Sequence, residues 1–497
     1  MDSSEKCEEV GNEKRSLGLN AFLNGLRNVL NLIFPLITFP YVSHVLSVDG
    51  MGKYNFSSNY VGYYTLIAGL GIATYAVREG AKYRDNYQKI SDFASQVFTI
   101  NVVSTLVAYV LLFISLIVFK NLRAYLVCIL IFSLTIVFTT IGTEWIYTIF
   151  EDYSYITIRS IAFKIISIVL LFIFVKKTGD YLWYAAITVF SSVGSNVLNF
   201  IHAKTLCSVK IVKNVNWKYH LKPILIIFSS SIAVSIYAIS DVTILWLLKG
   251  DYAVGIYSVA TKIQTVSQGL LTAILTVTIP RLAMLFGQRR FREYHRILGN
   301  LINTIAMLVL PMAVGIIMLS KEITLIIAGK KYLDSVMALR IIAWTVVFSL
   351  FSWLLSDCVL LPAKREKYIL RNTITCAIFN VVLNFILIPV ISYDGSSLST
   401  VLTELLSMML NYYRAKDIVK DVVLSKQNQY NIITGVLGCC LIAVLCMVIK
   451  LWSLNTLLTI VLSVVCSGIG YFAFLYVLRN TVVVTYWLEF KERAGIR

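Results

Sequence analysis

The chain has 497 residues, of which 58% are hydrophobic and only 14% are charged. A soluble protein carries about a quarter charged residues, so this composition excludes a soluble globular class and predicts an integral membrane protein. The net charge of +18 is spread over many short segments, which excludes a single basic face for nucleic acid. Most of the cysteines lie in apolar runs without pairing or metal-ligand spacing, which predicts buried inert thiols.

The first hydrophobic segment, 17–46, is long enough to cross a bilayer but carries a polar stripe. After Asn20, its members recur at steps of three and four and so share one face of a helix: Asn24, Arg27, Asn28 and Asn31. A guanidinium that faces lipid tails costs about 3 kcal/mol, so the stripe is predicted to line a polar passage. The alternative is that its amides bind this helix to neighbouring helices.

Further apolar runs of about 20 residues follow, and together they predict about fourteen membrane-spanning helices in an all-α fold. The predicted helices lie at 17–46, 55–79, 90–118, 124–149, 153–175, 181–206, 221–248, 253–285, 296–328, 335–361, 368–391, 396–415, 431–450 and 454–478.

The spacing of these helices predicts two lobes of six and a final pair. The N-terminal lobe is 17–206, the C-terminal lobe is 221–415, and the last two helices lie within 431–478. The longest polar connection, 207–220, is predicted to be a cytoplasmic linker between the lobes. Short connections elsewhere leave no room for a separate soluble domain.

Both ends of the chain are predicted to be cytoplasmic tails, 1–16 and 479–497. The first tail has no apolar core of its own and is not a secretory signal peptide. Most Lys and Arg residues of the loops fall on the side of the N-terminus, and an even number of spans places the C-terminus on that side too.

An internal repeat supports the two lobes. The run Asp49-Gly-Met-Gly52-Lys-Tyr precedes the second helix, and Asp251-Tyr-Ala-Val-Gly255-Ile-Tyr precedes the eighth. When Gly52 is set on Gly255, Arg78 falls on Arg281 without a gap; after a small insertion, Arg159 falls on Arg371. Transporters use such repeats to build a central site between halves.

The predicted membrane interior is basic. Besides Arg27, it contains Lys164 and Lys262 far from helix ends, and Arg78, Arg159, Arg281 and Arg371 closer to them. Fixed bases around a water-filled cavity attract phosphate or carboxylate groups, so these residues and the three asparagines of the stripe are the predicted substrate-binding set. For Arg159 and Arg371, the alternative is that they extend to the membrane surface.

Four acids in the predicted helices are candidates for coupling or gating: Glu144, Asp241, Asp357 and Glu404. A buried carboxylate that takes up protons can couple transport to a proton gradient, and one that pairs with Arg can form a gate that substrate opens. The alternative is a permanent salt bridge to Arg159 or Arg371 that only stabilises the helices.

No motif predicts an enzyme or a cofactor. The four histidines are scattered, and neither a P-loop, an H-E-x-x-H motif nor a G-x-S-x-G motif is present.

Several runs resemble the Wzx-type O-antigen and capsule repeat-unit flippases. They belong to the polysaccharide-transport branch of the superfamily that includes the multidrug and toxin extrusion (MATE) exporters. The resemblance rests on Pro35-Leu-Ile-Thr-Phe-Pro40-Tyr41, Gly52-Lys-Tyr-Asn-Phe56, Gly71-Ile-Ala-Thr-Tyr75-Ala-Val-Arg78-Glu79, residues 174–185 and Asn380-Val-Val-Leu-Asn384 with Gly395 and Glu404. One departure is Ser396-Ser397, where the family commonly has Gly-Ala.

The resemblance implies a MATE-like fold in the bacterial inner membrane. It also implies that an undecaprenyl-pyrophosphate-linked oligosaccharide passes from the cytoplasmic to the periplasmic leaflet by alternating access. Membrane lipids, a polysaccharide polymerase and a chain-length regulator are the implied partners, with no nucleic acid.

Two alternatives remain open at this point. A drug or cation exporter of the same superfamily would favour carboxylates over bases in its interior. A membrane-embedded polysaccharide polymerase would be expected to carry a large outer loop, and the predicted outer loops are short.

Overall fold

The computed structural model describes residues 17–494, apart from the side chains of 17–24, 26–29, 32, 230, 233–234, 237–238, 273–274, 277, 489 and 493–494. Within that range the ordered secondary structure is helical and contains no strand, which confirms the all-α prediction.

In the described residues, seventeen α-helices follow one another, numbered here in chain order. They are α1 Leu17–Val45, α2 Val48–Gly69, α3 Ile72–Gly80, α4 Tyr87–Val118, α5 Leu126–Gly142, α6 Glu144–Ile149, α7 Tyr153–Phe174, α8 Tyr181–Val193, α9 Asn196–Leu206, α10 Trp217–Gly287, α11 Phe291–Met318, α12 Ser320–Ile327, α13 Ser335–Trp353, α14 Glu366–Val423, α15 Lys426–Leu451, α16 Thr456–Val477 and α17 Thr481–Ala494. Short 3-10 helices lie at Ala81–Tyr83, Lys120–Tyr125 and Lys330–Tyr332, and a π-helix at Leu354–Leu360 continues α13.

Each predicted membrane segment falls on one or two of these helices. Eleven helical segments of the described chain are long and apolar enough to cross a membrane, so the chain is a multi-pass membrane protein. A count of about fourteen is consistent with this, because α10 and α14 each contain two predicted spans and α1 contains a shorter apolar segment, Ile33–Val45.

The two longest helices are broken where the sequence predicts loops. In α10, Gly250 has φ 78° and ψ −167°, a conformation that glycine adopts without steric cost. In α14 the break falls at Ile391 and Ser392, just after Pro389, which supplies no backbone N–H. Each break therefore separates two predicted spans.

The chain divides into two compact units. One contains the described residues up to Thr38 together with Ser57–Ile232, and the other contains Phe39–Phe56 and the described residues from Ala233 onwards. The chain passes from one unit to the other inside α1, α2 and α10, so the predicted linker 207–220 belongs wholly to the first unit.

The second unit contains both copies of the repeated motif, and they pack together. A Cβ at Gly52 would lie 2.0 Å from the carbonyl oxygen of Asp251, and a Cβ at Gly255 would lie 2.2 Å from that of Val48. Asp251 precedes Gly255 by four residues, as Val48 precedes Gly52, so the two contacts are equivalent. Glycine at both positions permits this close approach of two helices.

Each unit has its own hydrophobic core. In the first, Tyr75 and Phe93 pack with Trp145 and Tyr147 of the short helix α6. In the second, the π-helix and α13 pack against α11 around the fully buried Tyr294, whose hydroxyl donates to the Cys358 carbonyl at 2.9 Å.

Candidate functional site

Arg159 is the most deeply buried of the predicted bases that the structure describes. It lies in the second turn of α7, and only 8% of its surface is exposed. Among the described residues, neither its Nε nor its Nη1 has a hydrogen-bond partner. Because buried donors are nearly always satisfied in folded proteins, these N–H groups mark a place suited to an acceptor.

A stack of three rings positions this guanidinium. The ring centroids of Tyr155 and His202 are 3.9 Å apart, and those of Tyr155 and Tyr147 are 5.7 Å apart. The Tyr147 hydroxyl donates to the carbonyl of Asn199 at 2.6 Å, which joins α6 to α9. Arg159 Cζ lies 5.3 Å from the Tyr155 centroid, within the range of a cation–π interaction.

Glu144 is the predicted acid that interacts with this site. Its carboxylate interacts electrostatically with the Arg159 guanidinium. The structure therefore brings together a predicted base, Arg159 of α7, and a predicted acid, Glu144, which is the first residue of α6.

Lys164 and Asn31 form a second polar contact in the first unit. Lys164 Nζ donates a hydrogen bond to Asn31 Oδ1, which joins α7 to the polar stripe of α1. The remaining members of the stripe, Asn24, Arg27 and Asn28, have side chains outside the described residues.

Three predicted bases are exposed and form no such buried contact. Arg78 is 57% exposed, and its Nε lies 3.2 Å from the Glu79 carboxylate. Arg281 and Arg371, both in the second unit, are exposed as well.

Lys262 is a half-buried base of the second unit. It lies in α10, and its Nζ is 6.0 Å from the ring centroid of Phe39. An aromatic face near the ammonium group lowers the cost of keeping this charge away from bulk water.

Asp241 is the centre of a buried polar cluster in the second unit, with 6% of its surface exposed. Three neutral donors hold its carboxylate: Asn384 Nδ2 at 2.6 Å from Oδ1, Thr400 Oγ1 at 2.6 Å from Oδ2, and Tyr257 Oη at 3.1 Å from Oδ2. Asn380 extends the cluster, because its Oδ1 accepts from both Asn384 and Ser240 at 3.1 Å.

The sequence identified Asp241 but not its partners. Asn380 and Asn384 are spaced by four residues on α14, so they share one face of that helix. An asparagine pair at this spacing inside an apolar run was the available signal. The spacing does not show which helix this pair contacts. In the structure it is the first part of α10, which contains Asp241.

The other two predicted acids lie apart from Asp241 in the chain. Asp357 is half-buried in the π-helix, where the Ser356 hydroxyl lies 2.9 Å from its Oδ1. Single π-helical turns inside α-helices frequently occur at functional sites. Glu404 is buried in α14, with 8% of its surface exposed.

In the described part of the chain, no group of three or more His, Cys, Asp or Glu side chains has the arrangement of a metal site.

Many membrane-crossing helices with buried charged and amide side chains define a multi-pass membrane transporter. The chain belongs to the polysaccharide biosynthesis protein family, whose model matches residues 17–286. A second model, MatE, matches residues 226–386.

Two curated relatives cover most of the chain. A "Putative O-antigen transporter" of Shigella dysenteriae is 25% identical over 395 residues, which are 78% of this chain and 98% of that protein. A protein of the same name from Escherichia coli (strain K12) is 24% identical over 424 residues, or 82% of this chain and 98% of the relative. Both are named transporters, which confirms the prediction of a transporter rather than an enzyme.

Solved structures share the fold. "Lipid II flippase MurJ, inward closed conformation" matches with a TM-score of 0.72 at 14% identity, covering 93% of this chain and 99% of that one. An inward-facing multidrug resistance MATE family transporter of the MOP superfamily matches with a TM-score of 0.61 at 15% identity, covering 79% and 95%. The MATE-like fold class is thereby confirmed.

Proposed function

We propose that this protein moves a lipid-linked oligosaccharide, joined to undecaprenyl through pyrophosphate, from the cytoplasmic to the periplasmic leaflet of the bacterial inner membrane. Both termini lie in the cytoplasm, and the passage operates by alternating access. The observation that carries the proposal is Arg159, a buried guanidinium whose Nε and Nη1 have no hydrogen-bond partner among the described residues.

Pyrophosphate is the substrate group that this arrangement suits. Guanidinium N–H groups form short, charge-assisted hydrogen bonds to phosphate oxygens, and burial strengthens them. The rings around Arg159 fix its orientation before substrate arrives, which reduces the entropy lost on binding.

Other predicted bases belong to the proposed substrate-binding set. Lys164 with Asn31 offers an ammonium and an amide, and Lys262 offers a half-buried ammonium in the second unit. Amide and hydroxyl groups suit the sugars, whereas the polyprenyl tail has no need to leave the lipid. In the same proposal, Arg78, Arg281 and Arg371 are exposed bases that meet the pyrophosphate first.

The names of the relatives support this substrate class. Two carry the name "Putative O-antigen transporter", and the structural match with the higher TM-score is named a lipid II flippase. A drug or cation exporter is the second candidate, and the Arg159 site argues against it because a buried guanidinium repels cations.

We assign the coupling role to Asp241 and gating roles to Glu144, Asp357 and Glu404. Asp241 is held by neutral donors, so its buried charge keeps a desolvation cost that a proton or a monovalent cation relieves. Glu144 competes with substrate phosphate for Arg159 in this scheme.

The test compares Arg159→Gln with Arg84→Gln, an exposed arginine that pairs with Glu151 at 2.9 Å. Each variant is expressed in a strain that lacks the gene. We expect Arg159→Gln to lower surface polysaccharide at least about tenfold, because one charge-assisted contact is worth about 1.5–3 kcal/mol. The lipid-linked precursor should accumulate on the cytoplasmic side, with normal amounts of protein in the membrane.

Arg84→Gln should leave surface polysaccharide unchanged. Normal polysaccharide in the Arg159→Gln strain would contradict the proposal, and so would a fall without precursor accumulation.

A further inference from the structure

The backbone of the segment between α9 and α10 is hydrogen-bonded to side chains along α4. Alternate amide groups of the segment donate to hydroxyls spaced four residues apart on α4: Ser208 to Ser91 at 2.9 Å, Lys210 to Ser95 at 3.3 Å and Val212 to Thr99 at 3.0 Å. The Ser95 hydroxyl also donates to the Ser208 carbonyl at 3.1 Å.

The match between the two spacings explains this arrangement. Two residues of extended chain rise about 6.6 Å, and four residues of an α-helix rise about 6 Å. An extended segment that runs along a helix therefore meets a new hydroxyl at every second amide. We call this segment, residues 208–216, the strap.

The strap ends by fixing the first turn of α10. The amide of Asn216 donates to Gln96 Oε1 at 2.9 Å, and Asn216 Oδ1 accepts from the Tyr219 amide at 3.2 Å as a helix cap. One turn further on, His220 Nδ1 lies 2.8 Å from the Tyr75 hydroxyl and Nε2 lies 3.2 Å from Gln96 Oε1. The position and rotation of this helix end are thereby set.

The outward face of the fixed helix end carries an open groove of about 600 Å³, and no function has so far been given to it. Its lining residues follow one another at alternating steps of one and three and include Trp217, Lys218, Leu221, Lys222, Leu225 and Ile226. Ile226 is 64% exposed and Leu225 is 43% exposed, whereas His220 and Ile224 on the opposite face are buried.

We propose that this groove binds one anionic phospholipid. The phosphate contacts Lys218 and Lys222, Trp217 lies at the level of the headgroup, and an acyl chain follows Leu225 and Ile226. The proposal concerns a membrane lipid and does not depend on which substrate the protein carries.

Charge complementarity and length identify this occupant. Both lysines lie at the end of the groove that begins α10, and the rest of the lining is largely apolar. From Trp217 to Ser229 the helix rises about 18 Å, close to the roughly 15 Å of one hydrocarbon leaflet. Tryptophan and lysine together at such an end are typical of the membrane interface.

The strap makes this a specific site rather than a general basic surface. Because the backbone of the helix end is already ordered by α4, only the lysine side chains lose freedom when lipid binds. Two interfacial lysines then correspond to about a thirtyfold preference for an anionic over a zwitterionic lipid.

The experiment uses the full chain reconstituted in bilayers that contain brominated phosphatidylglycerol or brominated phosphatidylcholine. Bromine quenches nearby tryptophan, and the difference between the unchanged chain and Trp217→Phe isolates the signal of Trp217. We expect phosphatidylglycerol to quench Trp217 at about tenfold to thirtyfold lower mole fraction than phosphatidylcholine.

The preference should disappear in Lys218→Gln/Lys222→Gln and persist in Lys218→Arg/Lys222→Arg. The matched control is Lys416→Gln/Lys420→Gln, an exposed pair with the same spacing on α14, which should keep the preference. Equal quenching by both lipids in the unchanged chain would overturn the proposal. An equal loss in the control pair, or displacement of lipid by inorganic phosphate alone, would also overturn it.

Discussion

Gly52 and Gly255 each lie against a backbone carbonyl of the other's motif, at equivalent positions of the internal repeat. A Cβ would come within 2.0 Å of the Asp251 oxygen at Gly52 and within 2.2 Å of the Val48 oxygen at Gly255. The obstacles are backbone atoms on packed helices, which a change of side-chain rotamer does not move. The helices can approach this closely only because both positions are glycine.

We expect Gly52→Ala and Gly255→Ala to destabilise the protein by about 1–3 kcal/mol each, the range seen for overpacked interiors. Thermal unfolding of the purified chain in one detergent measures the effect. Gly315→Ala is the matched control, because its Cβ would meet nothing within 4 Å and alanine favours a helix interior. Equal stability of Gly52→Ala and Gly315→Ala would show that the two helices are not tightly packed.

Asp241→Asn tests the coupling role. Asparagine has nearly the shape of aspartate and can still accept from Thr400, so the helices should remain packed while the ionisable group is lost. We expect transport in proteoliposomes to become insensitive to the imposed gradient, proton or sodium, that drives the unchanged protein. Asp421→Asn, at an exposed acid of α14, should behave like the unchanged chain. A gradient response that survives in Asp241→Asn would remove this residue from the coupling mechanism.

The sequence predicts the helices well because each membrane span needs a local run of apolar residues, which is visible without knowledge of the fold. It also predicts the loops at Gly250 and after Pro389, since both residues act locally on the backbone. The register of the repeat likewise follows from short motifs, and the contact between Gly52 and Gly255 gives a physical reason for them.

The environment of single charged residues could not be predicted in the same way. Arg159 lies near a helix end, where extension to the membrane surface is the alternative, yet only 8% of it is exposed. The Tyr155 ring beside it stacks with Tyr147 of α6 and with His202 of α9, and His202 is distant in sequence. The environment of Asp241 could not be predicted either, because its donors come from separate helical segments. The periodicity of the sequence does not show which of these segments pack together.

Tyr155→Leu tests whether the ring stack prepares Arg159 for phosphate. Loss of the ring removes the cation–π contact and the stack with His202, so binding of a short-chain polyprenyl pyrophosphate to the purified protein should weaken about threefold to tenfold. Tyr155→Phe keeps the ring and loses the hydroxyl, which bonds the Leu198 carbonyl at 3.3 Å and also interacts with Arg159, so it should weaken binding less than Tyr155→Leu does. An equal loss in Tyr155→Phe would assign the effect to the hydroxyl instead.

The strap should loosen in acid because of His220. Burial lowers the pKa of this imidazole, so the folded strap favours the neutral ring that Tyr75 and Gln96 contact. The stabilisation is therefore fully present above the ordinary histidine pKa of about 6.5 and is lost as the pH falls through the lowered value. Tyr219 and Phe93 are the other rings against His220. Glu79 and Arg78 are the nearby charged groups, interacting with Tyr75.

Hydrogen exchange of the amides of Ser208, Lys210, Val212 and Asn216, corrected for intrinsic rates, measures the effect directly. We expect protection to fall between pH 7.5 and pH 5 in the unchanged chain, because protonated His220 no longer accepts from the Tyr75 hydroxyl. His220→Gln should show weaker protection at both pH values and little difference between them, whereas His295→Gln should retain the full pH dependence. If the strap amides of His220→Gln lost protection in acid as strongly as those of the unchanged chain, another group would have to be the titrating one.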